Sequence, residues 1–425
     1  MQYKLLEVTK LNINYKIGFV GPYSTANFGD WAMLVNNIYD LNYKNIVVFT
    51  YHSRFPKISL EEYCQDFNVK YVEVKLKNEI ETMKNCEMKD KQFITPLEVL
   101  MKLNNINEVY DAIEDIDILI ISGGGWLNHF WTERIEKVYK MMIPIYVARQ
   151  KQKKIVFTAN GIGPFDETRE FYRYFFGYIK NANIAIRDNL YSMSHLLEVG
   201  IEKKNVCCIP DDLYLINSRL LSKEPHKHIQ QKDYIVMETF YPLEKLKQYK
   251  ERLINFSKIM YKKYGLSIVL LPYDLVQYGA DQAKYLHSIF DKSELFNIDD
   301  IGYLPIQDAY RIIKNAKMMI TSRYHGLVLS LNAETPVIFR LYKRKNDIRY
   351  SYNKGLGMLR MAFDGIKFCE TDYLQYDFLE ILDNVENNLQ QIISNQRNIY
   401  SNPIYRKNKV KLKEFRHKYL RNLLC

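Results

Sequence analysis

The segment from Ile320 to Phe339 contains the residue types best suited to acid–base chemistry on an anionic substrate. A predicted strand delivers Ser322, Arg323 and His325 to the start of a predicted helix. Arg323 supplies a fixed positive charge, and His325 supplies a group that titrates near neutral pH. The N-terminus of the helix would also favour a bound anion. The segment therefore predicts a substrate-binding site with His325 as the catalytic candidate. A histidine with a purely structural role is the alternative.

Arg187 lies where the predicted strand Asn183–Ile186 gives way to a helix. An arginine in this position either pairs with a nearby carboxylate, such as that of Asp188, or binds the carboxylate or phosphate of a ligand through its planar guanidinium. The sequence leaves both interpretations open.

Three glycine-containing turns also follow predicted strands. In the first, Gly21–Met33, a small-residue loop leads into a helix with Asp30 as its predicted N-cap. Such a junction directs backbone N–H groups towards an anion, and a plain capped turn is the alternative. The second turn contains three consecutive glycines, Gly123–Gly125, and the third contains Gly161 and Gly163. In both turns a ligand can approach the backbone closely. The residues predicted to contact substrate in these turns are Asn27, Gly29, Gly123, Gly124, Gly125, Gly161 and Gly163.

The chain has 425 residues, which is long enough for two or three domains. Its composition, 47% hydrophobic and 26% charged, is that of a folded globular protein. No apolar run approaches the length of about 20 residues that a membrane span needs. The N-terminal segment has no signal-peptide pattern, so a cytoplasmic location is expected.

The net charge of +11 is concentrated in two stretches, Arg340–Lys354 and Arg406–Arg421. These stretches indicate anionic partners without choosing among a nucleic acid, a lipid surface and a phosphorylated substrate. The six cysteines show no metal-ligand spacing, so we expect buried free thiols in a reducing compartment and no metal site. They are Cys64, Cys86, Cys207, Cys208, Cys369 and Cys425.

Short β-branched runs alternate with helix-compatible segments, which is typical of parallel sheets built from βαβ units. The pattern starts again after a lysine-rich bridge at Asn217–Lys232. We therefore predict an α/β protein with two doubly wound, Rossmann-like domains facing a cleft, residues 1–220 and 221–368, and a helical basic extension, residues 369–425. The predicted strands are Lys16–Val20, Asn45–Tyr51, Ile116–Ser122, Lys154–Ala159, Asn183–Ile186, Val206–Ile209, Asp233–Glu238, Ser267–Leu271, Met318–Thr321 and Pro336–Leu341.

The extension is predicted to form two helices, Tyr373–Arg397 and Arg406–Leu424. The second helix gathers leucines and aromatic residues on one side, and basic residues cover much of the rest. This pattern is typical of a helix that binds an anionic membrane surface. The protein would then be peripheral at the inner membrane face. Docking of the same helix on the protein's own body is the alternative. The apolar residues are Leu412, Phe415, Tyr419, Leu420, Leu423 and Leu424.

Six short motifs, in their order along the chain, resemble those of the polysaccharide pyruvyl transferase family. The resemblance extends from Ile17 to Gly357. The chain departs from the family at Leu271-Pro272-Tyr273, where members often have Pro-His. The motifs are Asn27-Phe28-Gly29-Asp30, Gly123-Gly124-Gly125, Gly161-Ile162-Gly163-Pro164, Arg187-Asp188, Pro210-Asp211 and Ser322-Arg323-Tyr324-His325-Gly326.

The resemblance implies a fold similar to that of GT-B glycosyltransferases and transfer of a pyruvyl group from phosphoenolpyruvate onto two hydroxyls of a sugar. The acceptor would belong to a bacterial surface polysaccharide or its lipid-linked precursor. Arg187 and Arg323 would hold phosphoenolpyruvate, and His325 would donate or accept a proton. Asp30 would be the complementary base or would orient the acceptor. No cofactor and no metal ion is expected.

Two other hypotheses remain beside this one: a different enzyme and a relative without catalytic activity. A GT-B-like glycosyltransferase that uses a nucleotide sugar would share the fold and the cleft. An inactive relative would only scaffold an assembly complex. A nucleic-acid-binding protein is disfavoured, because the sequence contains no recognised nucleic-acid module.

Overall fold

The computed structural model describes residues 15–23, 27–77, 95–276 and 278–422. In the described part of its first half, the chain forms nine parallel strands in two adjoining sheets, with helices packed on their faces. The strands are β1 (Lys16–Val20), β2 (Asn45–Thr50), β3 (Asn68–Glu73), β4 (Ile118–Ile121), β5 (Gly124–Leu127), β6 (Lys154–Phe157), β7 (Asn160–Ile162), β8 (Ile184–Ile186) and β9 (Val206–Cys208). The α-helices are α1 (Phe28–Leu41), α2 (Arg54–Tyr63), α3 (Pro96–Met101), α4 (Ile106–Glu114), α5 (Ile135–Gln150), α6 (Arg169–Tyr178), α7 (Tyr191–Glu198) and α8 (Ser218–Leu221).

The strand order of the first sheet is β3-β2-β1-β4-β6, and that of the second is β5-β7-β8-β9. Every strand pair in both sheets is parallel. Continuous apolar runs such as Ile118–Ile121 form the central strands, because helices bury both faces of a parallel sheet. The order reverses between β1 and β4. This reversal places the turns after Val20 and Ile121 at the switch point where ligands of such sheets bind.

The second half forms one six-stranded parallel sheet, in the order β12-β11-β10-β13-β14-β15. Its order reverses between β10 and β13, so the segments after Met237 and Thr321 meet at a second switch point. The strands are β10 (Tyr234–Met237), β11 (Ser267–Leu270), β12 (Ser293–Leu295), β13 (Met318–Thr321), β14 (Val337–Arg340) and β15 (Leu374–Gln375). The helices are α9 (Leu243–Gln248), α10 (Lys250–Tyr264), α11 (Ala280–Ile289), α12 (Ile306–Asn315), α13 (Tyr324–Ala333), α14 (Arg349–Ala362), α15 (Phe378–Ser401) and α16 (Pro403–Asn422).

Three predicted helix starts are wrong. The last helix, α16, begins at Pro403 and not at Arg406. Helix α1 begins at Phe28 with Asn27 as its N-cap, so Asp30 is the third residue of the helix and not its cap. Tyr373 does not begin a helix, because β15 follows it and pairs with β14. Asp377 then caps α15 by accepting hydrogen bonds from the backbone N–H groups of Leu379 and Glu380. The expected extension therefore contributes a strand to the second sheet.

The expectation of buried thiols is correct for Cys64 but wrong for Cys369, which is exposed. Cys207 and Cys208 are half-buried, and all four cysteines are free. Cys86 and Cys425 lie outside the described residues. No described helix is both long and apolar enough to cross a membrane.

Helix α16 docks on the body of the protein, as the alternative to membrane binding anticipates. Leu420 is buried, and the hydroxyl of Tyr419 donates to the carbonyl of Phe157 at 2.7 Å. Arg416 is fully buried and pairs with Asp40 and Asp212 of the first half. Of the four described residues of the predicted apolar face, Leu412, Tyr419 and Leu420 pack against the core, and Phe415 is exposed. Leu423 and Leu424 lie outside the described residues.

Candidate active site

Arg187 is anchored by an acid that is distant in sequence. Its Nη1 lies 2.9 Å from Oδ2 of Asp211, and both side chains are buried. The guanidinium stacks over the ring of Tyr324 at 4.1 Å from the ring centroid. A paired and stacked guanidinium is held in one orientation, so its remaining donors can be aimed at a ligand.

Asp188 is not the partner of Arg187. Its carboxylate accepts hydrogen bonds from the backbone N–H groups of Tyr191 and Ser192 and from the Ser192 hydroxyl. These are the free donors at the start of α7, which a carboxylate satisfies well. Arg187 and Asp188 therefore do not pair with each other. Asp188 caps α7, and Arg187 forms a long-range ion pair with Asp211.

His325 projects from the first turn of α13 against the first turn of α1. A β-carbon built on Gly29 would lie 1.7 Å from His325 Nδ1, so only glycine allows this approach. Nε2 of His325 lies 3.9 Å from Oδ2 of Asp211 and has no hydrogen-bond partner among the described residues. Burial, with Arg187 and Lys354 nearby, holds the pKa of His325 well below its usual value. The imidazole is therefore neutral at pH 7.

Asp30 follows Gly29 and faces the same space. Burial raises the pKa of its carboxyl to about 7, although the positive charge of Lys354 opposes the rise. Asp274 raises the pKa further by like-charge repulsion. The carboxyl thus exchanges its proton near neutral pH. That property suits a general acid or base.

Lys354 on α14 brings another cation to the cleft. Its Nζ lies 3.4 Å from the ring centroid of Tyr350. A β-carbon on Gly125 would lie 2.9 Å from Lys354 Nζ and 3.3 Å from Arg187 Nη2, so the two cations converge on this glycine. Burial and Arg187 lower the pKa of Lys354 well below its usual value. An anion bound between Lys354 and Arg187 would stabilise the charged form of the lysine and oppose this lowering of its pKa.

Arg323 is the N-cap residue of α13, and Glu238 at the end of β10 fixes its backbone. Oε2 of the buried Glu238 accepts hydrogen bonds from the N–H groups of Ser322 and Arg323, at 2.9 and 3.0 Å, and from the Thr321 hydroxyl at 3.0 Å. Nε of Arg323 lies 3.5 Å from Glu238 Oε1. The carboxylate thereby joins the two central strands at the switch point.

Ser322 supports the site indirectly. Its hydroxyl accepts a hydrogen bond from Nε of Arg340 at 2.9 Å, and the Arg340 guanidinium also donates to the carbonyl of Phe240. The phenyl ring of Phe240 in turn stacks under Arg323 at 4.4 Å. The structure therefore places Ser322 behind the cleft-facing cation.

The predicted loop residues divide into two groups. Gly29, Gly125 and Gly161 make room for His325, Lys354 and Arg187, since a β-carbon at Gly161 would lie 2.7 Å from Arg187 Nη2. The others face internal partners of the fold. Asn27 occupies the N-cap position of α1, where its backbone carbonyl accepts a hydrogen bond from the N–H of Asp30 and its side chain makes no capping bond. Gly123 donates to Asp212, Gly124 lies against Pro22, and Gly163 packs against the ring of His195.

His129 lies in a polar cluster beside the cleft. Its Nδ1 is 2.9 Å from the carbonyl of Pro164 and 3.6 Å from Asp166 Oδ2. The carboxylates of Asp166 and Asp347 come within 4.8 Å of it, which is a spacing that a metal ion could bridge. Arg349 already pairs with both carboxylates, at 2.6 and 2.7 Å. The cluster is therefore a salt-bridged contact between the two halves of the chain.

A family model of the polysaccharide pyruvyl transferases matches residues 27–344. This chain belongs to the polysaccharide pyruvyl transferase family. The match includes Asp30, Arg187, Arg323 and His325, the residues that the structure brings together. No curated protein matches the chain.

Solved structures share the GT-B fold at low sequence identity. Anabaena Alr3699/HepE in complex with UDP-glucose has a TM-score of 0.54 and 12% identity, covering 96% of this chain and 99% of its own. S. aureus MnaA with UDP has a TM-score of 0.55 and 12% identity, and the match covers 96% of this chain and 97% of MnaA. The UDP-GlcNAc 2-epimerase of Methanocaldococcus jannaschii has a TM-score of 0.53 and 13% identity, and the match covers 94% of this chain and 99% of the epimerase. These similarities establish the fold of the transferase.

Sequence reasoning missed two residues of this family member's site. Glu238 was assigned only to a strand, and Lys354 only to a basic stretch. Lys354 also lies beyond the segment that the family model matches. A signal was present for Glu238, because a carboxylate at the end of a central strand faces the switch point.

Gly29 provides a direct test of this geometry. We expect Gly29→Ala to lower turnover at least tenfold, because the added methyl group displaces the His325 ring. Gly177→Ala on α6 is the matched control, since nothing lies within 4 Å of its β-carbon position. The control should keep its turnover and gain up to about 1 kcal/mol of helix stability. Steady-state kinetics and thermal melting measure both effects. Unchanged turnover in Gly29→Ala would contradict the role of this contact.

Proposed function

We propose that the protein transfers a pyruvyl group from phosphoenolpyruvate to a sugar of a surface polysaccharide or its lipid-linked precursor, forming a cyclic ketal. The observation that carries the proposal is the convergence of Arg187, Lys354, Arg323 and His325 on one cleft. Phosphoenolpyruvate carries a carboxylate and a phosphate on a small carbon frame. Several fixed cations at short range match this charge distribution. We also propose that the enzyme acts in the cytoplasm.

The reaction needs one proton donor and one proton acceptor. The methylene carbon of phosphoenolpyruvate gains a proton, and a sugar hydroxyl attacks C2 while losing its own proton. A second hydroxyl then displaces phosphate at the same carbon and closes the ketal ring, and its proton leaves with the phosphate. The products are the pyruvylated sugar and inorganic phosphate, so atoms and charge balance without a redox partner.

The pKa directions favour one assignment of these roles. The lowered pKa of His325 leaves the imidazole neutral, so it is ready to accept the hydroxyl proton. The raised pKa of Asp30, about 7, leaves a large fraction of the carboxyl protonated, so it can donate to the methylene carbon. A bound anion would raise the pKa of Asp30 further and strengthen this role. The sequence alone leaves Asp30 either as a complementary base or as a residue that orients the acceptor.

This assignment predicts how activity depends on pH. Asp30 must hold its proton to donate it, so kcat/KM should fall as the pH rises through about 7. Asp30→Asn should be slower and should lose this part of the profile. The phosphate of the substrate titrates identically with both proteins, so the difference between the two profiles isolates Asp30. If kcat/KM instead rose as the pH increased through 7, and this rise were lost in Asp30→Asn, Asp30 would be the base.

The decisive experiment incubates the pure protein with phosphoenolpyruvate and candidate oligosaccharides. Release of inorganic phosphate and a ketal mass gain on the sugar, both absent with His325→Ala, would support the proposal. Phosphate release without a sugar product would indicate hydrolysis, and neither signal with any acceptor would favour the inactive scaffold.

A glycosyltransferase that uses a nucleotide sugar is the second candidate, because the GT-B neighbours include complexes with UDP and UDP-glucose. Thermal shift separates the two. A ligand at 100 times its dissociation constant adds about 2.7 kcal/mol of stability. We expect phosphoenolpyruvate to give a shift that Arg187→Lys reduces. A shift with UDP-sugars alone would favour the glycosyltransferase.

A further inference from the structure

A second cavity of about 480 Å³ lies outside the candidate active site. It is enclosed by the loop between β8 and α7, the last turns of α14, and one face of α16. Its volume falls within the range of small-molecule sites. None of the residues assigned above to the reaction lines it.

The cavity backs onto the catalytic cleft through a thin wall. Asp188, which lines the cavity, directly follows Arg187, and Gly357 lies one turn after Lys354. A β-carbon on Gly357 would lie 2.7 Å from Asp188 Cβ, so α14 and the loop are in tight contact here. The Asp188 carboxylate is occupied by the start of α7 and offers little to a ligand.

The walls of the cavity are largely apolar. Leu190 and Phe415 line it, and they are 40% and 43% exposed. Met361 and Leu412 form the deeper surface. Exposed large apolar side chains grouped around a concavity mark a binding site for an apolar group.

Cations surround the mouth of the cavity. Lys411 lines it, is exposed, and has no ion-pair partner among the described residues. Arg360 is half-exposed and pairs with Glu370 at 3.2 Å. Lys407 and Lys418 are exposed on the same helix, one turn before and two turns after Lys411. Asp364, which lines the cavity, and Glu414, which lies between Lys411 and Lys418 on α16, are exposed carboxylates near these cations.

We infer that this cavity binds the hydrocarbon chain of one anionic lipid, whose phosphate group rests against Lys411 and Arg360. Apolar walls beneath a basic rim match an amphiphile with an anionic head and an apolar tail. The docked position of α16 supports this arrangement, because it leaves Lys411 and Phe415 at the cavity while burying Leu420. The lipid site does not depend on the identity of the transferred group.

Dodecyl phosphate, used below its micellar concentration, is the probe. Calorimetry should show saturable binding of one molecule per chain. Phe415→Ser and Lys411→Glu should each weaken it at least tenfold. Val410→Ser and Lys413→Glu are matched controls on α16, exposed but outside the cavity, and should change the dissociation constant less than twofold. Inorganic phosphate should show no Lys411-dependent binding, since it has no chain.

Phosphatidylglycerol vesicles extend the test to a membrane surface. The same two cavity variants should lower vesicle binding more than their controls do. Equal losses in cavity variants and controls would show adsorption by the whole basic helix and would overturn the cavity site, as would the absence of dodecyl phosphate binding. Melting curves of each variant verify the fold, and Lys411→Glu, an exposed change, keeps the test valid if Phe415→Ser unfolds.

Discussion

Replacing His325 with alanine is expected to lower the rate of pyruvyl transfer by about 10²–10⁴-fold, the usual contribution of a positioned acid–base group. The ring lies against Gly29 at the junction of α1 and α13, and its Nε2 has no partner among the described residues. Its lowered pKa excludes a role as a charged partner in a salt bridge at neutral pH. The loss should therefore fall on catalysis and not on folding.

Phosphate release measured in single-turnover and steady-state assays reports this loss. His195→Ala is the matched control, because His195 is also half-buried but packs against Gly163 and Phe165, away from the cleft. It should turn over at nearly the wild-type rate. Near wild-type turnover in His325→Ala, with the control unchanged, would remove His325 from the mechanism.

The part of the site that is local in sequence could be predicted. Ser322 and Arg323 follow a buried strand directly, and His325 lies in the first turn of the next helix, so the end of the strand brings all three to the edge of the sheet. The doubly wound parallel sheets follow in the same way from the alternation of strands and helices, whereas the likeness to GT-B enzymes was implied by the resemblance to the family. Five of the described strands escaped prediction. Strands β5, β7, β12 and β15 have only two to four residues, too few to show a period. Strand β3 has six residues, but polar and charged residues interrupt its apolar ones.

Long-range pairings could not be predicted, because they depend on which elements pack together. Arg187 precedes an acid in sequence, yet the start of α7 takes that acid and Asp211 pairs with the arginine. Lys354 reaches the cleft only through the packing of α14 across the two halves. The false cap at Asp30 has a simpler cause. Asn27 is an equally good capping residue, three positions earlier.

Arg416 gives the second large expected effect, on stability. The arginine is fully buried and donates to Asp40, Asp212 and Asn37. Asp212 is also buried, and its other oxygen accepts from Asn37 and Thr158 at 2.8 Å each. Removing one partner of a buried ion pair leaves an uncompensated charge, which costs about 3–5 kcal/mol. We expect Arg416→Met to lower the free energy of unfolding by this amount.

Denaturant unfolding at neutral pH measures the loss in the free energy of unfolding. Two further variants test whether the buried ion pair causes it. Lys413→Ala on the same helix is exposed and should stay within about 0.5 kcal/mol of the wild type. The double variant Arg416→Met/Asp212→Asn removes the arginine and one of its two carboxylates. It should recover part of the lost stability, because only Asp40 is then left without its partner. Truncation after Pro403 should be at least as damaging as Arg416→Met, since it removes the whole docked helix. A truncated protein with wild-type stability would show that α16 is not part of the folded body, and the helix would again be available for membrane binding.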